Sequence, residues 1–266
     1  VNVHPQVVVP PECGFMLWLH PDWKDCSWDE VETAAFAKAV AECRKFETWG
    51  ITVSELESQL AREAPHSFAE ACNVIYSTFA STRKSTAIVW GDKNNHYIAH
   101  VDVLKTIYSE ARFVHIVRDV RDIACSYKEL VQKSINSEYR PRLSAQASEI
   151  AEEWVRNNTS ALNAMKGSTS VLVRYENLVR YTANSMSRVF AALGLEDGPA
   201  ISNISHLAGL DEPTEFLQWK AKLSGPVDIG SVGRYRKELT EKEILEIESV
   251  AGELLEEFGY VIDYPS

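Results

Sequence analysis

One guanidinium and one hydroxyl are spaced in this sequence to grip an anion together. In the segment 113–130, FVHIVRDVRDIACSYKEL, an apolar run leads directly into a charged turn and then into a helical pattern. Arg118 falls at the carboxyl end of the run and Ser126 lies eight positions further on, a little over two helical turns. A guanidinium presents a planar fork of donors to phosphate oxygens, and a hydroxyl adds another donor without changing the charge. A second reading stays open on these residues alone: Arg118, Asp119, Arg121 and Asp122 pair with one another or cap the helix, as exposed charge clusters commonly do at little energetic value.

The elements that must position this pair follow from apolar patterning. Three mostly apolar runs, 86–90 (TAIVW), 112–117 (RFVHIV) and 170–174 (SVLVR), suit parallel strands covered on both faces. Helical patterns occupy 28–48, 67–82, 98–110, 120–133, 145–165 and 183–193, with capping boxes expected from Ser27 with Glu30 and from Ser54 with Glu57. The last helix is the clearest. Thr240 and Glu243 form a capping box, Ile244, Ile247, Val250, Ala251, Leu254 and Phe258 recur at helical spacing, and Gly259 ends the run. Strands alternating with helices imply crossover units and a mainly parallel sheet, whose ligands bind beyond the carboxyl ends of the strands.

Composition narrows the function classes. At 266 residues with 45% hydrophobic and 24% charged content, the chain matches an ordinary globular protein, and one domain over 1–266 is the expectation. No apolar run approaches the roughly 20 residues of a membrane span. A net charge of -11 argues against a sequence-independent nucleic-acid surface, because such binding rests on neutralised phosphates. The five cysteines (Cys13, Cys26, Cys43, Cys72, Cys125) are scattered, with no metal-ligand spacing. Reduced thiols, a cytoplasmic protein and no metal are the corresponding expectations.

The segment around Arg118 resembles the 3′-phosphate-binding motif of sulfotransferases, in which an Arg at a strand end and a Ser in the next helix hold the donor 3′-phosphoadenosine 5′-phosphosulfate. Other segments extend the resemblance, mainly toward bacterial and protein-tyrosine members. Residues 90–100, WGDKNNHYIAH, are similar to the Gly-acidic-Lys segment, with Asn94 and Asn95 replacing the usual Thr-Pro pair. The resemblance implies that Lys93 lies near the transferring sulfuryl group. Residues 173–179, VRYENLV, resemble the Tyr-Glu-Asp-Leu element with Asn177 for Asp, which implies a nucleotide contact for Tyr175. Residues 231–240, SVGRYRKELT, resemble the Gly-Arg-Trp segment with Tyr235 for Trp. Ser231 and Arg234 are then candidate donor contacts, with Arg236 and Lys237 as neighbours. Residues 4–19, HPQVVVPPECGFMLWL, match the segment that carries the general base, which implies that role for Glu12.

The family's opening strand and phosphate-gripping loop have no counterpart in this sequence, and the match begins at His4. The expectation is an amino-terminally truncated chain; a relative that has lost the loop is the alternative. The resemblance implies an α/β fold, a P-loop NTPase-like three-layer sandwich with a mainly parallel central sheet, its first strand and phosphate loop missing. The implied reaction is sulfuryl transfer to an acceptor hydroxyl or amine on a small molecule, glycan or peptide. Two rivals are a catalytically silent binding domain and a nucleotide kinase-like phosphotransferase, the latter opposed by the lack of a Walker-type GK[ST] motif. Variable segments around 18–62 and 134–146 are where an acceptor pocket is expected. Trp18, Trp23, Trp28 and Trp49 lie in the first of them, although such residues are more often core.

Overall fold

The apolar runs pair as parallel strands in two separate places. The computed structural model describes residues 1–2, 4–133, 137, 139–196 and 228–264, which divide into two units, Val1–Ala111 and Arg112–Ser266. In the first unit β1 (Val7–Val8) lies parallel to β2 (Val89–Trp90), with Val7 opposite Val89 and Val8 opposite Trp90. Parallel strands need a long crossover. Here it holds α1 (Phe15–Trp23), α2 (Glu30–Glu42), α3 (Val53–Glu63) and α4 (Phe68–Arg83), and β2 is followed by a 3₁₀ turn (Asn95–Ala99) and α5 (Val101–Ile107).

The core of this unit is aromatic. Phe15, Phe36, Phe46, Trp49 and Tyr76 are all but fully buried. Phe15 meets Trp49 edge-on at 5.9 Å, and Trp90 stacks flat on Tyr76 at 4.0 Å, contacts that add to the gain from burial alone. Trp28 and Trp49 are therefore core, while Trp18 is 43% exposed.

Both expected helix starts of this unit lie two residues away from where the sequence suggested, and the box is formed in α3 alone of the two. Asp29, not Ser27, caps α2, accepting from the backbone of Val31 and Glu32. That frame puts buried Trp28 and Thr33 at the two positions of a hydrophobic staple, whereas the Ser27 frame would put Val31, 77% exposed, at the second. Thr52 with Glu55, not Ser54 with Glu57, boxes α3, a frame that puts buried Ile51 and buried Leu56 at the same two staple positions. The helix expected over 28–48 stops at Glu42. Lys45 then turns to a φ of +74°, opening a 3₁₀ turn (Phe46–Trp49) that Gly50 closes at +67°.

In the second unit β3 (Phe113–Val117) and β4 (Ser170–Arg174) are parallel, from Phe113 opposite Ser170 to Val117 opposite Arg174. Their crossover holds α6 (Val120–Gln132) and α7 (Ala147–Ala164). Then come α8 (Tyr175–Arg180), α9 (Thr182–Ala192), the short α10 (Tyr235–Glu238) and α11 (Glu241–Glu257). Thr240 and Glu243 do form the box that starts α11, and Gly259 follows its end at a φ of +78°. The face of α11 carrying Ile247, Ala251 and Leu255 is fully buried with α6 and α7 residues such as Val120, Ile150 and Trp154. A leucine-sized side chain buried this way contributes about 1.5–3 kcal/mol.

Cover on both faces of the strands does not hold within this unit. His115 and Val117 are buried, whereas Ile116 is 53% exposed. A five-residue apolar run reads the same for one-sided and two-sided cover. Among the described residues no helix is long and apolar enough to cross a membrane.

Candidate active site

The charged turn between β3 and α6 sorts its four ionisable residues into two jobs. Arg121 is 1% exposed and fully engaged. Its Nε and Nη2 donate to the two oxygens of Asp119 at 3.0 and 2.7 Å, its Nη1 donates to Glu248 at 2.5 Å, and the ring of Tyr235 lies 4.2 Å beneath it. Asp122, also 1% exposed, accepts from the backbone N–H of Gly233 at 2.7 Å and of Tyr235 at 3.0 Å. Burial raises its carboxyl above the usual range, against those two hydrogen bonds. Mutual pairing thus accounts for Asp119 and Arg121, and the anchoring of a distant loop for Asp122.

Arg118 hydrogen-bonds no carboxylate of this turn, although Asp122 feels its charge. Its Nη1 donates to Ser126 Oγ at 3.4 Å and its Nη2 to the backbone oxygen of Ser231 at 2.9 Å. The guanidinium lies over the ring of Tyr175 at 4.6 Å, and the Tyr175 hydroxyl shares a 3.0 Å hydrogen bond with Ser231 Oγ. Arg118 Nε is buried without a hydrogen-bond partner among the described residues. Backbone geometry explains the convergence. Arg118 follows the last residue of β3, Tyr175 follows the last residue of β4, and Ser126 faces the same end from α6. Trp154 on α7 fixes the strand exit by donating to the Arg118 carbonyl at 3.1 Å.

Arg234 stands apart from this group. It donates from Nε to Glu238 at 2.9 Å and from Nη2 to Glu238 at 2.6 Å and to Glu129 at 3.1 Å, so two carboxylates occupy its fork. Of its neighbours, Arg236 pairs with Asp263 at 3.0 Å.

In the first unit Glu12 and Lys93 meet as an ion pair through Glu12 Oε1. The other oxygen, Oε2, pairs with Lys45 Nζ at 3.0 Å. Glu12 lies just past two prolines in the stretch after β1, and Lys93 lies three residues beyond β2, so the parallel pairing of these short strands brings both to one end. Asp92 is held from below. The hydroxyls of Tyr76 and Tyr97 both donate to its Oδ2, the latter at 2.6 Å, while Oδ1 is buried without a hydrogen-bond partner among the described residues. Burial pushes the Asp92 carboxyl up to about 6 in spite of these donors.

Residues 2–199 match the sequence profile of the Sulfotransferase family. The chain belongs to this family. It is 27% identical over 288 residues to the nodulation protein NoeE of Sinorhizobium fredii strain NBRC 101917 / NGR234, an alignment covering 97% of this chain and 61% of that protein. The chain thus spans 61% of that relative's length. Among solved structures it is similar to the sulfotransferase domain from the curacin biosynthetic pathway, with a TM-score of 0.57, 12% identity, and 98% of this chain and 91% of that one covered. It is also similar to the sulfotransferase domain of the Synechococcus PCC 7002 olefin synthase, with a TM-score of 0.58, 17% identity and coverages of 98% and 88%. At these identities the likeness is one of fold, the α/β fold of sulfotransferase domains.

Three supports of this candidate site were given no role by sequence reasoning, although Glu176 and Asp122 lie inside the motif segments it used. Glu176, 6% exposed, accepts from the Asp119 backbone at 3.1 Å and from the Tyr260 hydroxyl at 2.9 Å, tying the exits of β3 and β4 together. Asp122 ties the Gly233–Tyr235 turn to α6. Lys45 reaches Glu12 across 33 residues, and only the fold brings it there.

Proposed function

We propose that this chain transfers a sulfuryl group from 3′-phosphoadenosine 5′-phosphosulfate to a hydroxyl or amine of a small molecule, glycan or peptide. The observation that carries the reading is the Arg118 cluster. A guanidinium with a buried Nε that has no partner among the described residues, a serine hydroxyl 3.4 Å away and a tyrosine ring beneath it suit a phosphate on a nucleoside. The guanidinium supplies charge-assisted donors, Ser126 and Ser231 supply neutral ones, and Tyr175 offers its hydroxyl and a flat face. Family membership supports sulfuryl transfer as the chemistry.

The donor, when bound, supplies an electrophilic sulfur and a phosphate leaving group. In this reading Glu12 accepts the proton of the acceptor as its oxygen or nitrogen bonds to sulfur. The bond from sulfur to the bridging oxygen breaks, and its electron pair stays on the phosphate of adenosine 3′,5′-bisphosphate. The Lys93 ammonium, 55% exposed, offsets the charge that gathers there. Arg118 and Ser126 hold the donor through its 3′-phosphate, a group remote within the donor itself from the bond that breaks.

Calorimetric titration with adenosine 3′,5′-bisphosphate and with adenosine 5′-monophosphate tests the reading. A clear preference for the bisphosphate is expected. Equal affinity for the two, or binding of neither, counts against a 3′-phosphate site.

A further inference from the structure

Glu12 is held by two lysines, and they differ in how firmly they are built in. Lys93 takes Oε1 from the stretch after β2 with a side chain 55% exposed, whereas the Lys45 side chain is 18% exposed and takes Oε2 at 3.0 Å. The Lys45 turn is also tethered to both chain neighbours of Glu12. Trp49 Nε1 donates to the Pro11 carbonyl at 2.9 Å, and the Cys13 thiol donates to the Arg44 carbonyl at 3.6 Å. Phe46 and Trp49, which follow Lys45, are 1% and 0% exposed, so this turn cannot shift without opening the core.

Lys45 itself has a φ of +74°. A lysine is strained there, and glycine or asparagine would suit the backbone better. The strain is matched by what the side chain does, which is to deliver an ammonium to Glu12. We infer that Lys45 is a positioning residue for the transfer reaction, keeping hold of Glu12 Oε2 while Lys93 releases Oε1 to attend the departing phosphate oxygen. The inference rests on the reading of Glu12 as the base and adds to it a division of labour. Lys45 orients the carboxylate and keeps it ionised, and Lys93 is the exchangeable partner.

The backbone at position 45 supplies a clean variant, because Lys45→Asn removes the ammonium and fits the left-handed conformation. Lys45→Arg keeps the charge. Lys45, Lys93 and Asp92 are among the charged and titratable groups around Glu12, so the measurement is a carbon-13 NMR titration of the Glu12 side-chain carboxyl, compared between variants and wild type. Loss of a partly buried counter-cation is expected to move the Glu12 midpoint up by about one pH unit in Lys45→Asn. Lys45→Arg should leave it in place. Turnover of sulfur-labelled donor by Lys45→Asn should fall about tenfold relative to wild type as pH drops through that window.

An unmoved midpoint in Lys45→Asn, or an equal shift in Lys45→Arg, overturns the assignment to Lys45 even when Glu12→Gln is inactive. Wild-type turnover by Glu12→Gln overturns the base reading itself, and with it the role assigned to Lys45.

Discussion

Replacing Arg118 by alanine removes a cation at the exit of β3 that hydrogen-bonds no carboxylate of its own turn, and the loss should be specific to one phosphate. The guanidinium offers Nη1, which lies 3.4 Å from Ser126 Oγ, and a buried Nε without a partner among the described residues. Two charge-assisted hydrogen bonds to a phosphate are worth about 1.5–3 kcal/mol each. With water filling part of the vacated space, a net loss of about 3 kcal/mol is expected, on the order of a 100-fold weaker Kd. The cost to the fold is smaller. It comprises the bond to the Ser231 carbonyl at 2.9 Å and the contact with the Tyr175 ring, together about 1–2 kcal/mol.

The assay is a calorimetric comparison of adenosine 3′,5′-bisphosphate with adenosine 5′-monophosphate in wild type and Arg118→Ala. The variant should lose affinity for the bisphosphate alone, so that the preference for it collapses. Retention of the wild-type ratio between the two nucleotides would falsify the assignment of Arg118 to the 3′-phosphate, whatever happened to overall affinity.

Three other outcomes follow from the same geometry. Glu12→Gln should lower turnover of labelled donor by about 10²–10⁴-fold while leaving the calorimetric affinity for adenosine 3′,5′-bisphosphate unchanged; a parallel loss of affinity would point to a binding role instead. Arg121→Met leaves Asp119 and Glu248 buried without their cation, so urea denaturation should show a loss of about 3–5 kcal/mol, and a loss below 1 kcal/mol would mean that water reaches the network. Asp92 has a folded-state carboxyl raised to about 6, so the folded chain holds a proton that the unfolded chain has lost between about pH 4 and 6. Its contribution to stability therefore falls as pH rises through that window. Asp92→Asn should flatten this part of the Tm-against-pH curve, and an unchanged slope would refute the assignment to Asp92.

What the sequence disclosed follows the range of the interactions involved. The β3 run, the start of α6 and the whole of α11 were legible because apolar spacing, a capping box and a terminal glycine act within a few residues. Strand β1 was not, since three valines ahead of Pro10 and Pro11 carry no periodicity, and Val7–Val8 become a strand only by pairing with β2. Helix α1 was hidden by Pro21 within it and by Gly14, which offers no side-chain cap.

The site divides in the same way. Arg118 and Ser126 sit eight residues apart on one strand-turn-helix unit, and their approach is a local consequence of that unit. The fate of Arg121 was ambiguous beforehand, because Glu248 lies 127 residues away. The resemblance implies a donor contact for Arg234, yet Glu238, one helical turn on, and Glu129 on α6 take up its fork. The expected acceptor segment 134–146 lies partly outside the described residues, and 197–227 lie wholly outside them.

The most direct test of sulfuryl transfer is to incubate the chain with sulfur-labelled 3′-phosphoadenosine 5′-phosphosulfate and a panel of phenols, sugars and tyrosine peptides. Label arriving on an acceptor should equal the adenosine 3′,5′-bisphosphate released, and both should vanish when the donor lacks its 3′-phosphate. Release of label that is indifferent to the 3′-phosphate, or phosphoryl transfer from ATP in its place, would contradict the account.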